Sequence, residues 1–121
     1  MLLAPERWHV FRTQRDHPMN PISSNPAFPS RMDLLLRRAR RAQQRGERRQ
    51  ALVALREAAL LAETDAKVWA LYGSACAKAN RLEDADRALG QALYLRQRQH
   101  DTRRVNSLRN MMQRLGLGRA A

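Results

Sequence analysis

The chain has 121 residues, room for one small domain. It carries 23 Lys and Arg against 11 Asp and Glu, a formal net charge of +12, so its partners belong among acidic surfaces: nucleic acid, anionic lipid or an acidic protein. A single cysteine, Cys76, excludes an internal disulfide framework and an all-cysteine metal site, and no apolar run is long enough to span a membrane. The opening residues also turn polar too early for a secretory signal, which points to a cytoplasmic protein.

All five prolines, from Pro5 to Pro29, lie in the first 30 residues. The stretch from His17 to Ser30 adds Ser and Asn without any sustained apolar period. Proline fixes φ and removes a donor, so residues 1–30 read as a disordered or loosely docked N-terminal arm. Within it, Trp8, Val10 and Phe11 suit a short helix or a surface anchor, and a start at Met19 or Met32 would remove most of the arm.

From Met32 the period is helical. The first helix is predicted over 32–45, with Leu35, Ala39 and Ala42 on one face, Leu34 and Leu36 widening it, and Gly46 ending it. The second, over 47–62, has an apolar stripe of Ala51, Ala54, Leu55, Ala58 and Leu61, and Thr64-Asp65 offers a cap for the next helix. The third, over 65–79, carries Trp69, Tyr72, Gly73 and Cys76, with Asn80 suited to a left-handed turn. The fourth, over 81–97, carries Leu82, Ala85, Ala88, Leu89, Ala92 and Leu95. The fifth, over 101–115, carries Val105, Leu108, Met112 and Leu115, with Asp101 or Thr102 at its start and Gly116 and Gly118 beyond its end. No alternating run argues for a strand, so the fold is predicted to be all-α.

A shift of 34 residues superposes the second and fourth helices: Ala51 meets Ala85, Ala54 meets Ala88, Leu55 meets Leu89, Ala58 meets Ala92 and Leu61 meets Leu95. The turns align too, Gly46 with Asn80, as do Leu35 with Trp69 and Ala39 with Gly73. A fixed period of this length marks a stacked helical repeat. With Trp69, Tyr72-Gly73 and Cys76 on the third helix, and Ala85, Leu89 and Ala92 on the fourth, residues 32–99 resemble two copies of the tetratricopeptide repeat (TPR) family. Arg38 and Cys76 depart from that pattern, and Glu63 and Gln97 stand where the family closes on proline. The resemblance implies TPR-like helical hairpins, a short solenoid, with pairs over about 32–65 and 66–99 and a capping helix and short tail over 100–121.

Close helix crossings need small residues, so Ala39 and Gly73 are expected opposite Ala51 and Ala85, with Trp69 and Leu89 filling the gaps around them. Trp69→Ala is then expected to cost about 3–5 kcal/mol. Val105, Leu108, Met112 and Leu115 would cover the open face of the last pair. Five helices are few for such an array, which suggests self-association into a homo-oligomer, docking of the arm, or marginal stability until a partner binds.

The chemistry-bearing residues form no catalytic set. Cys76 falls on the buried side of its helix and reads as a packing thiol. His9, His17 and His100 lack ligand spacing, there is no Gly-rich phosphate loop, and no Ser/His/Asp set has a scaffold to order it. No enzyme activity, metal or cofactor is expected. Met111-Met112 and Leu115 read either as packing or as an adaptable binding face. Seven arginines fall between Arg37 and Arg49, and Arg37, Arg41 and Arg45 align as like charges at i+4 spacing, either solvated or awaiting an anionic partner.

The expected function is therefore a protein–protein interaction module, a scaffold or adaptor. The resemblance implies a concave groove lined by Asp33, Leu36, Arg40, Gln43 and Gln44 in the first copy and by Lys67, Ala70, Ser74, Ala77 and Lys78 in the second. Arg37 flanks it, and Arg104 and Met111 extend it onto the fifth helix. This basic, small-residue lining suits an extended acidic peptide or helix. Some family members grip a carboxylate terminus with Lys and Asn at two set positions, held here by Leu36 and Arg40, so that role is not implied. The alternative is a basic, RNA-associated helical repeat whose binding falls steeply with salt. An assembly or secretion-type chaperone with the same groove is a third reading.

Overall fold

A computed structural model describes residues 28–118. Most of the expected arm, including Trp8, Val10 and Phe11, lies outside the described residues, as does the end of the chain from Arg119. Five helices make up the described secondary structure: α1 (Arg31–Gln44), α2 (Arg48–Leu61), α3 (Ala66–Lys78), α4 (Leu82–Arg98) and α5 (Thr102–Arg114). Each predicted boundary falls within one residue of these limits, and no strand occurs among the described residues. The fold is all-α, built of consecutive helical hairpins: α2 packs on α3, α3 on α4, and α4 on α5.

Packing separates residues 1–34 from residues 35–121. Of the first unit, the described part is the start of α1. There the Ser30 hydroxyl accepts from the Asp33 backbone N–H at 3.1 Å, and the Asp33 carboxylate accepts from the Ser30 N–H at 3.2 Å. This reciprocal capping box satisfies donors that the first turn would otherwise leave open.

In the second unit, four turns share one stop signal. The helix ends, the next residues reach φ near +60°, and a backbone N–H reaches back five residues. At α1 the bond is Glu47 N–H to the Ala42 carbonyl, 2.8 Å, across Gly46 at φ 74°. At α3 it is Arg81 to Cys76, 2.8 Å, across Asn80 at φ 61°. At α4 it is Asp101 to Arg96, 3.0 Å, across His100 at φ 57°, and at α5 it is Leu117 to Met112, 2.8 Å, across Gly116 at φ 74°. These bonds satisfy carbonyls left over at each helix end. The α2–α3 junction works differently: the Asp65 carboxylate caps α3, accepting from the N–H groups of Lys67 (3.0 Å) and Val68 (3.4 Å).

The core is mostly alanine. Ala39, Ala54, Leu55, Cys76 and Ala85 belong to one cluster, and Leu89, Ala92, Leu108 and Met112 to another. Small side chains let the helices approach closely, and at Gly73 there is no room for a side chain. A Cβ there would stand 2.6 Å from Cγ of Leu89 and 3.1 Å from its backbone nitrogen. The closest approach to Gly73 is thus made by Leu89, which the register places beside this crossing rather than at its centre.

Three further expectations are corrected. Trp69 is only half-buried, and Leu89 is the largest fully buried side chain together with Cys76. Leu61 and Leu82 are exposed because they stand at the ends of α2 and α4, while Leu52 and Ala59 supply the α2 burial instead. Leu115 is exposed as well, since α5 has already stopped; the chain turns at Gly116 and brings Leu117 onto both core clusters. The Gly118 N–H then donates to the Asp86 carboxylate at 3.1 Å, tying the tail to α4. The 34-residue period does not carry into α5, because α4 has 17 residues against 14 in α2.

Candidate functional site

The groove residues expected from the sequence separate into three groups. Leu36, Ala70, Ser74, Ala77 and Met111 are half-buried. Leu36 rests on the first core cluster and Ala70 and Met111 on the second. The Ser74 hydroxyl donates to the Met111 sulfur at 3.7 Å, which joins the faces of α3 and α5. Arg37, Arg40, Gln43, Gln44, Lys67, Lys78 and Arg104 are exposed. Asp33 belongs to the first unit, where its carboxylate accepts from the Ser30 N–H in the cap of its own helix.

Two depressions bring exposed members together. Gln43 and Lys78 share one of about 430 Å³, floored by Ala51 and Ala75. Lys67 and Arg104 share another of about 480 Å³, together with Arg96. Asp101 offsets part of the positive charge there. It caps α5 by accepting from the Arg104 N–H at 3.2 Å, and it pairs with the Arg104 guanidinium at 3.0 Å and with Arg96 at 3.6 Å. The Arg104 guanidinium, above all, holds the Asp101 carboxyl below the ordinary carboxylate value.

A further surface has no counterpart in the sequence-based expectations. Between α2 and α4 lies a depression of about 660 Å³. Its α2 wall presents Arg49, Leu52, Val53 and Arg56; α4 and the turn before it present Arg81, Asp84, Arg87 and Gln91; and Trp69 and Tyr72 of α3 contribute the aromatic part of the lining. The indole N–H of Trp69 donates to the Glu63 carbonyl at 2.8 Å, and its ring stands 6.4 Å from that of Tyr72 at a 57° tilt. The sequence signal for this site is arginine and apolar residues at i, i+3, i+4 and i+7 on the second helix. It is invisible as a site until α4 is placed alongside.

Cys76 is buried and free of any disulfide. Burial pushes its thiol up, as burial and the neighbouring Cys76 push up the Tyr72 hydroxyl. A raised thiol stays protonated at neutral pH, the reverse of what an activated nucleophile requires. Among the described residues, no three His, Cys, Asp or Glu side chains gather to hold a metal ion, and no helix is long and apolar enough to cross a membrane. Comparison of the chain with protein-family models, with curated proteins and with solved structures gave no match.

Proposed function

We propose that the protein is an interaction module of TPR type that binds an extended acidic segment of a partner protein along the face of α1, α3 and α5. One observation carries this reading: the Ser74–Met111 contact joins the α3 and α5 faces into a half-buried strip beside exposed Lys67, Lys78 and Arg104. The small side chains of Ala70 and Ser74 let a peptide backbone approach closely, and exposed cations at the rim attract carboxylates and speed encounter. With the Asp33 carboxylate engaged in its own cap, Arg37, Arg40, Gln43 and Gln44 are the contribution of α1.

The test is a pull-down with the tagged full chain, split into nuclease-treated and untreated halves, with an Arg37→Ala/Arg40→Ala/Lys78→Ala variant in parallel. A protein retained through nuclease treatment and lost with the variant supports the groove. Recovery that disappears on nuclease treatment favours the RNA-associated alternative. An assembly or secretion-type chaperone would use the same groove, and it would be recognised by a client that aggregates when the module is withdrawn.

A further inference from the structure

The depression between α2 and α4 shares no residue with the α1–α3–α5 face, so a role for it does not depend on peptide binding there. We infer that it is a second docking surface, shaped for an acidic amphipathic helix presented by a partner protein.

The α2 wall is one helical stripe. Arg49, Leu52, Val53 and Arg56 stand at i, i+3, i+4 and i+7, so all four lie on the same face. The two arginines are two turns apart, about 10.5 Å along the axis. Between them Val53 is 55% exposed, an apolar side chain held open to water in the middle of a charged stripe. Across the depression Arg87 is met by Asp84 only at 3.9 Å, with the arginine side chain largely exposed. The lining thus holds four arginines against one carboxylate, with an apolar centre.

The complementary ligand has carboxylates two turns apart and an apolar residue between them. A helix offers that spacing without distortion, and a trough between two helices is the usual seat for one. Nucleic acid fits less well. Its bases would need a free aromatic face to stack on, whereas Trp69 is half-buried, tied by its N–H to Glu63 and packed on Tyr72.

The experiment uses the full chain and a fluorescein-labelled synthetic helix carrying Glu at i and i+7 and Leu at i+3 and i+4. Anisotropy at about 0.15 M salt is the readout, with a scrambled peptide of the same composition and a single-stranded RNA oligonucleotide as comparisons. The expected result is binding of the helix over the scrambled peptide. It should weaken about tenfold or more with Arg49→Glu/Arg56→Glu and stay unchanged with the charge-matched Arg103→Glu/Arg109→Glu, at exposed positions of α5 that belong to neither lining. Arg49 and Arg56 are exposed, so these variants keep the fold, and circular dichroism checks that. Arg49→Gln/Arg56→Gln should give an intermediate loss. The inference is overturned if the helix does not bind, if the scrambled peptide binds equally well, or if only Arg40→Glu/Lys78→Glu reduces binding, which would place the peptide on the other face. It is also overturned if the RNA displaces the helix and itself depends on Arg49 and Arg56.

Discussion

Gly73 and Leu89 are in close contact between α3 and α4, and substitutions there should be strongly felt. Gly73→Ala drives a methyl against Leu89, whose backbone nitrogen is only 3.1 Å from the new Cβ, so rotation of the leucine side chain cannot relieve the contact fully. The expected loss is about 1–3 kcal/mol, read from the urea midpoint. Leu89→Ala should cost about 2–5 kcal/mol by opening a cavity. The double variant should lose less than the sum of the two, because the new methyl then enters vacated volume; strict additivity would mean that the crossing is looser than these distances imply. Trp69 obeys a different rule. Trp69→Phe keeps much of the ring and loses the hydrogen bond to Glu63, an expected cost of about 0.5–1.5 kcal/mol.

The helix stops can be tested as a group, since the same backbone geometry is occupied by different residues. Gly46 at φ 74° suits its position, and Gly46→Ala should destabilise by about 1 kcal/mol even though the space around it is open. His100 at φ 57° is strained in the same conformation, and His100→Gly should be neutral or stabilising by up to about 1 kcal/mol. Thermal unfolding of the two variants should therefore move in opposite directions. The start of α5 adds a pH dependence. Asp101 has its folded value lowered, first by the Arg104 side chain, so its charged form is favoured in the folded state. That contribution is present above the ordinary aspartate value of about 4 and is lost as the pH falls through the lowered one. Protection of the first α5 amides in hydrogen exchange should weaken over that acid range, and Asp101→Asn should remove the dependence.

Across the folded helices, the hydrophobic contribution is unevenly shared. Alanines fill most crossings, and alanine buries little apolar area, so large residues such as Leu55, Leu89 and Leu108 supply a disproportionate share of the hydrophobic contribution. The last hairpin is closed by α5 and by Leu117, with the tail pinned through Asp86. A chain ending at Asp101 would uncover Leu89 and Ala92. It is expected to unfold with a much shallower denaturant transition or to self-associate, and sedimentation with urea titration distinguishes the two. At this scale the excess of arginine also matters: binding to any acidic partner should weaken as salt rises, more steeply for nucleic acid than for a peptide with a few carboxylates.

The helices, their limits and their stops at Gly46 and Asn80 were legible because each depends on neighbours within one or two turns. Apolar spacing sets the buried stripe, and a residue tolerant of positive φ ends the helix. The left-handed His100 was not legible because histidine carries no such signal, and its φ is imposed by the bond from Asp101 to Arg96. That Arg37, Arg40, Lys67, Lys78 and Arg104 are exposed was legible from their charge and spacing, whereas the capture of Asp33 by Ser30 depended on a local hydrogen bond competing for the same carboxylate. What required tertiary structure was every relation between helices. Leu89 makes the closest approach to Gly73, Trp69 packs on the second core cluster while also lining a depression, and arginines of α2 and α4 line that same depression. Helical period decides which side of a helix is apolar; the axial offset between neighbouring helices, settled only when side chains of particular volume interlock, decides which residues on that side meet.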